Sequence, residues 1–201
     1  MKGSLIILSF FVLGLILGLT RFLPSSLLEG DFSIYALYLL MFLVGIGIGT
    51  DRDSWKVIRQ VNIKIILVPL SVIVGSLVGV SAVSVFLSNI NFGEAMAVGA
   101  GFGYYSLSSV MITEFHSETL GVIALLSNII REILTLLATP LFVRYFGKLA
   151  GIASGGATAM DTTMPIIVQY SGKEYAIIAV FSGIVLTIFV PVIVPLILQF
   201  L

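Results

Sequence analysis

The sequence predicts an all-α polytopic membrane protein with about five full transmembrane helices and two oppositely oriented re-entrant hairpins. Three observations lead there. Of 201 residues, 59% are hydrophobic and 10% charged, with a mean hydropathy of +1.19; a soluble domain carries roughly 25% charged residues. Charge-free runs long enough for a helix to cross the hydrocarbon layer, roughly 20 residues, recur along the chain. Between them lie apolar segments broken by glycine and proline, which a plain spanning helix has no use for.

Residues 3–20 and 32–50 read as the first two spans. Lys2 before an apolar run resembles a secretory signal, but no A-x-A-like cleavage site follows, and Gly14 and Gly18 stand in helix-packing register. Residues 65–93 carry no charge and are long enough to span with tilt. Residues 95–113 are uncharged and interrupted by Gly99, Gly101 and Gly103, so a re-entrant hairpin is expected there. Residues 119–143 are apolar except for Arg131 and Glu132. Residues 149–172 hold Gly151, Gly155, Gly156 and Pro165 around a lone Asp161, and read as the second hairpin. Residues 175–201 form the last span. No tandem repeat, low-complexity segment or linker separates domains, so residues 1–201 read as one integral membrane domain.

Basic residues set the orientation, because cytoplasmic loops are enriched in them. Arg52, Lys56, Arg59 and Lys64 mark one loop as cytoplasmic, with Lys2 inside and the Glu29/Asp31 loop outside. If both glycine-rich segments cross, six basic residues lie inside and three outside; if both are re-entrant, eight lie inside and only Arg21 outside. The second arrangement is preferred. It leaves the N-terminus inside and the C-terminus outside, in the cytoplasmic membrane. Two broken segments entering from opposite faces are the pattern of inverted-repeat transporters with a midplane site. The candidate units are residues 65–87 with the first hairpin and residues 119–143 with the second, although their sequence similarity is slight.

Composition excludes several classes. Ten basic residues balance ten acidic ones, so no field attracts nucleic acid. There is no cysteine and one histidine, His116, which argues against thiolate chemistry and a zinc site. Walker A, G-x-S-x-G and GxGxxG patterns are absent, so neither an enzyme nor a cofactor is expected.

Three charges fall inside apolar stretches: Arg131, Glu132 and Asp161. Each costs about 2.5–3.5 kcal/mol at the centre of an inserting helix, so its retention needs a reason. At helical spacing Asn128, Glu132, Thr135 and Thr139 share a face, with Arg131 at its edge. One reading is an internal Arg–Glu network that fixes packing. The other is a substrate or proton site. Arg131 and Glu132 are adjacent and diverge by about 100° around the helix, which favours a partnership of Glu132 with another carboxylate. Asp161 supplies one, flanked by Thr158, Thr162 and Thr163, in a glycine-rich turn where hydroxyls and freed carbonyls can bind a cation. A helix-cap role ahead of Pro165 is the plainer alternative for Asp161. In the first hairpin, Tyr104, Tyr105, Ser106 and Ser108 could bind a polar solute, or serve an interfacial belt and close packing. Glu114, His116 and Glu118 read as a solvated outer loop.

The segments Gly101-Phe-Gly-Tyr-Tyr-Ser-Leu-Ser108, Ser127-Asn-Ile-Ile-Arg-Glu132 and Gly155-Gly-Ala-Thr-Ala-Met-Asp-Thr-Thr-Met-Pro165 resemble the signatures of the lysine exporter (LysO-type) family. Those read roughly GFGWYSLSG, [ND]-x-x-RE and GGATSMDxTLP, in the same order and at similar spacing, and the similarity covers most of residues 32–201. The resemblance implies export of L-lysine and related basic compounds, and a functional pair of intramembrane acids falling on Glu132 and Asp161. Proton antiport, or sodium coupling, would follow if an acid exchanged its ion for the substrate cation. The expected binding set is Glu132, Asp161, Asn128, Arg131, Tyr105, Ser106, Thr158 and Thr162, with Gly101, Gly103, Gly155 and Gly156 shaping the hairpins. Ser109 stands where the family often has glycine. Longer members carry extra N-terminal spans, and a homodimer or a small companion membrane subunit is expected to stand in for them. A carrier of another small solute and a non-transporting subunit are the competing readings.

Overall fold

The computed structural model describes residues 63–201 continuously, together with scattered positions between Leu13 and Thr50. Most of the expected spans 3–20 and 32–50 and of the basic loop between Thr50 and Ile65 lies outside the described residues. The chain divides into two compact units, Met1–Leu40 and Met41–Leu201. In the first, Leu13, Ile16, Leu17, Tyr35, Tyr38 and Leu39 are helical, and Thr20 Oγ1 donates to Ile16 O at 2.9 Å.

In the second unit the described residues from Ile63 onward are helical or turn, with no strand among them. Helix α1 (Ile63–Ser84) is followed by α2 (Phe92–Gly99) and α3 (Tyr105–Phe115). The long α4 (Glu118–Phe146) leads to α5 (Ala150–Gly155), a 3₁₀ turn (Gly156–Met160) and α6 (Met164–Ser171). A second 3₁₀ turn (Lys173–Tyr175) opens into α7 (Ala176–Leu198). Three of these helices, within α1, α4 and α7, are long and apolar enough to cross a membrane.

The helix of the charge-free run 65–93 ends at Ser84, and α2 starts afresh at Phe92. The reason is local: Asn91 accepts from Glu94 N at 2.8 Å while Glu94 Oε2 accepts from Asn91 N at 2.7 Å. This reciprocal capping box satisfies amides that α2 would otherwise leave bare, and starts a new helix there. Ser117 caps α4 in turn, accepting from Leu120 N at 3.2 Å. At the other end α4 stops at Gly147, whose φ of 89° breaks the helix.

The two glycine-rich segments are each a pair of short helices with a break between them. In the first, α2 tightens into 3₁₀-type bonds (Gly101 N to Val98 O, Phe102 N to Gly99 O). The chain then reverses through Phe102 and Gly103, both at positive φ (46° and 99°). In the second, the reversal is at Gly156, φ 63°. The breaks are placed by α4. Its 29 residues make a helix about 43 Å long. Hairpin α2–α3 flanks its N-terminal half, so closely that a Cβ on Gly121 would overlap Thr113 and lie 2.9 Å from Ser109 O. Hairpin α5–α6 flanks its C-terminal half, where a Cβ on Gly151 would lie 3.2 Å from Thr139 Cγ2 and Ser154 Oγ lies 2.7 Å from Thr135 Oγ1. The two breaks meet beside the middle of α4, and α7 packs across them: a Cβ on Gly183 would come within 2.9 Å of Ala157 O. Phe102, Ile152, Ile167 and Leu186 are fully buried here. By contrast Leu137, Phe146, Val78 and Val192 are exposed apolar side chains, an arrangement suited to lipid rather than water.

Candidate functional site

The meeting of the two breaks is held by two neighbouring residues of α4. Asn128 is buried; its Oδ1 accepts from Gly103 N at 2.8 Å and its Nδ2 donates to Ala124 O at 2.8 Å. One turn on, Arg131 donates from Nε to Ser154 O (2.8 Å), from Nη2 to Ala153 O (2.9 Å) and from Nη1 to Ser76 Oγ (3.1 Å). The guanidinium thus takes up carbonyls at the end of α5, which a helix C-terminus leaves without intrahelical donors, and its positive charge meets the negative end of that helix dipole. Asn128 fastens the first break to α4, and Arg131 fastens the second.

Glu132 points elsewhere. Among the described residues it has neither a hydrogen bond nor an ion pair, and it lines a cavity of about 130 Å³ at the junction of the breaks. Asp161 lines the same cavity, with Tyr105 and Ser106 from α3 and Thr158 and Thr162 from the second break. Six of the eight residues singled out in the sequence therefore surround one space. Asn128 and Arg131 do not. They border a separate, largely apolar groove of about 350 Å³ between α1, α2 and α4.

Asp161 is exposed, at the open side of the cavity. Its Oδ1 accepts from Thr162 N at 2.6 Å. It does not cap α6, whose N-cap position is Thr163, with no side-chain cap bond. Thr158 Oγ1 donates to Gly155 O at 2.9 Å and lies 3.3 Å from Thr163 Oγ1. The N-terminus of α3 also opens here. Its first amides have no intrahelical acceptor and carry the positive end of the helix dipole.

Of the hairpin glycines, Gly103 and Gly156 hold positive φ, and both face the opposite hairpin. A Cβ on Gly103 would lie 2.9 Å from Gly155 O; one on Gly156 would overlap Phe102 O. Gly101 faces Asn128 and Ser108, and Gly155 faces Thr163. Reading the sequence missed Thr187 of α7, which also lines the cavity. It sits in a charge-free run with no flanking glycine or charge to draw attention. It also missed the link between His116 and Glu94, whose Nε2 and Oε1 lie 3.0 Å apart across the two outer ends of hairpin α2–α3. The hydrogen bond from His116, with a second from Asn91 N, holds the Glu94 carboxyl below its ordinary value of 4.5. No cluster of candidate metal ligands occurs among the described residues.

No solved structure matches this chain. It is similar to a protein of Escherichia coli (strain K12) named "Lysine exporter LysO", 30% identical over 164 residues, which are 81% of this chain and 53% of that protein. It is also similar to a Haemophilus influenzae (strain Rd) protein named "Putative lysine exporter", 35% identical over 159 residues, covering 79% of this chain and 80% of the other. The chain spans about half the length of the first relative and four-fifths of the second. The family described as lysine exporter LysO matches residues 8–198. This chain, a multi-pass membrane protein, belongs to the lysine exporter LysO family.

Proposed function

We propose that this chain is a secondary transporter that exports L-lysine, and related basic compounds, across the cytoplasmic membrane by exchange with protons. The observation that carries the reading is the shared cavity of Glu132 and Asp161, in which Glu132 has no partner among the described residues while the adjacent Arg131 is bonded to Ser154 O, Ala153 O and Ser76 Oγ. A carboxylate left unpaired at membrane depth is costly unless it takes a cation or a proton. Two carboxylates lining one cavity offer a place to a cation or to a proton. A substrate ammonium group and a proton then take turns at the site. Exchange of lysine for a proton is then the cycle with the smallest charge penalty inside the membrane. The amides at the start of α3 suit the substrate α-carboxylate, as helix N-termini do in other transporters. The names of both relatives support lysine as the substrate.

The same reading takes residues 1–201 as one transport domain. Helices α1, α4 and α7 cross the membrane and, with spans at 3–20 and 32–50, make five. Hairpin α2–α3 enters from outside and α5–α6 from inside, which agrees with their positions on opposite halves of α4. The N-terminus is then inside and the C-terminus outside. A homodimer or a companion membrane subunit completes the assembly.

The test is counterflow in proteoliposomes. Vesicles loaded with unlabelled lysine should accumulate labelled lysine, and an imposed pH gradient without sodium should drive net movement. Absence of lysine counterflow from folded protein overturns the substrate; counterflow that responds only to a sodium gradient overturns the proton.

A further inference from the structure

Six hydroxyl side chains inside these helices share one habit that Thr187 does not. Ser71, Ser81, Ser84, Ser108, Thr135 and Thr139 each donate back to a carbonyl three or four residues earlier, at 2.5–2.9 Å. That bond is the usual refuge of a hydroxyl in an apolar helix. Thr187 lies in the middle of α7, is 5% exposed, and its Oγ1 has no hydrogen-bond partner among the described residues. A buried hydroxyl without a partner is unfavourable. Ser182 shares the lack of a partner, but only Thr187 lines the cavity that holds Glu132 and Asp161.

We infer that Thr187 is a third substrate-binding position, its hydroxyl oxygen accepting an N–H from the ammonium group that Glu132 and Asp161 hold. The inference rests on the export reading above and extends it to specificity. A primary ammonium has three N–H donors and no acceptor. Among the oxygens lining the cavity, three stand on separate elements: Glu132 on α4, Asp161 in the second break, and Thr187 on α7. Two charges set the affinity for a cation, and the neutral hydroxyl completes the geometry of a primary amine. It also ties α7 to substrate occupancy, because α7 packs against the turn that carries Asp161.

The test compares Thr187→Val and Thr187→Ser with wild type by lysine counterflow and by melting temperature in detergent. Valine keeps the shape and removes the hydroxyl; serine keeps the hydroxyl. The expected result is a rise in KM of about tenfold for Thr187→Val, with kcat changed less than twofold and melting unchanged or raised, while Thr187→Ser stays within about twofold of wild type in KM. Equal KM for Thr187→Val and wild type overturns the inference and leaves the export reading standing. Thr187→Val that melts well below wild type also overturns it, since the hydroxyl would then serve the fold. Wild-type protein without any lysine counterflow overturns both.

Discussion

The backbone N–H of Ala157 donates to the carbonyl of Phe102 at 2.8 Å, so the turn of one hairpin is fastened directly to the turn of the other. The two residues are 55 positions apart, and each lies at a reversal that needs positive φ nearby: Phe102 and Gly103 in one, Gly156 in the other. Phe102 holds the left-handed region without being glycine, a conformation that costs about 1–2 kcal/mol. The packing that enforces it is on both sides: Phe102 is fully buried, and its neighbour Gly103 is bonded to Asn128. The cavity opens beside this joint, so its shape depends on the joint staying closed.

Gly156→Ala should open it. The new Cβ would overlap Phe102 O and sit on a backbone at φ 63°. The expected loss is at least about 1–2 kcal/mol from the backbone alone, together with loss of lysine counterflow. Gly79→Ala is the control. A Cβ there meets nothing within 4 Å among the described residues, and alanine in mid-helix is favoured over glycine by about 1 kcal/mol. Thermal unfolding of the two variants in detergent checks the contrast.

Asn128 and Arg131 should behave as fasteners rather than as ligands. Asn128→Leu leaves the buried Gly103 N–H without its acceptor, at a cost of about 1–3 kcal/mol. Arg131→Lys keeps the charge but cannot reproduce a planar fork on Ser154 O, Ala153 O and Ser76 Oγ. Both variants should melt earlier than wild type. Any protein that stays folded should keep a lysine KM close to normal, which counterflow at graded lysine concentrations measures. A large rise in KM with unchanged melting would instead return these two residues to the binding set.

Much of this arrangement was legible in the residues, and what was not has physical reasons. The cost of placing Glu132 and Asp161 in apolar runs singled them out, and they line one cavity. Cost singled out Arg131 just as strongly, yet charge says nothing about direction. Its role appears only when hairpin α5–α6 brings Ser154 and Ala153 to it. Asn128 shared a helical face with Glu132 on paper, but the face is broad, and these two of its four members border different cavities. The start of α2 at Phe92 was written in the Asn91-x-x-Glu94 box, a short signal that reading by charge-free runs passes over. Thr187 carried no signal at all, since one threonine in an apolar helix is ordinarily satisfied by its own backbone.

The outer end of hairpin α2–α3 should loosen in acid. Glu94 is held below its ordinary value of 4.5, first by His116 and then by Asn91 N–H. A lowered carboxyl contributes stability that is present above the unfolded value and lost as pH falls through the folded one. Protection of the α2 amides against exchange, taken relative to the intrinsic rate at each pH, should therefore hold from neutrality down to about pH 4.5, then fall at lower pH, and Glu94→Gln should flatten the dependence. His116→Ala should move the Glu94 titration upward, though short of the ordinary value, because the Asn91 bond remains. Titration of Glu94 by NMR reads this shift.

Glu132→Gln and Asp161→Asn should each abolish lysine export while leaving a folded, inserted chain. The geometry sharpens the expectation for Glu132. Were it the counter-ion of Arg131, removing its charge would leave a buried cation unpaired, at about 3–5 kcal/mol. Arg131 instead spends its donors on Ser154 O, Ala153 O and Ser76 Oγ, and Glu132 has no partner among the described residues. Glutamine is nearly isosteric and removes a charge that is costly in the membrane, so melting should be unchanged or raised. Asp161→Asn keeps an oxygen able to accept from Thr162 N, so its turn should hold as well. A double-mutant cycle between Glu132→Gln and Arg131→Met should then show coupling of less than about 0.5 kcal/mol, the level of independent sites. Thermal melting read beside lysine counterflow in the same preparations settles the matter. Lost counterflow with retained melting assigns the pair to transport. Retained counterflow in both variants, or a Glu132→Gln collapse that Arg131→Met rescues, assigns it to packing.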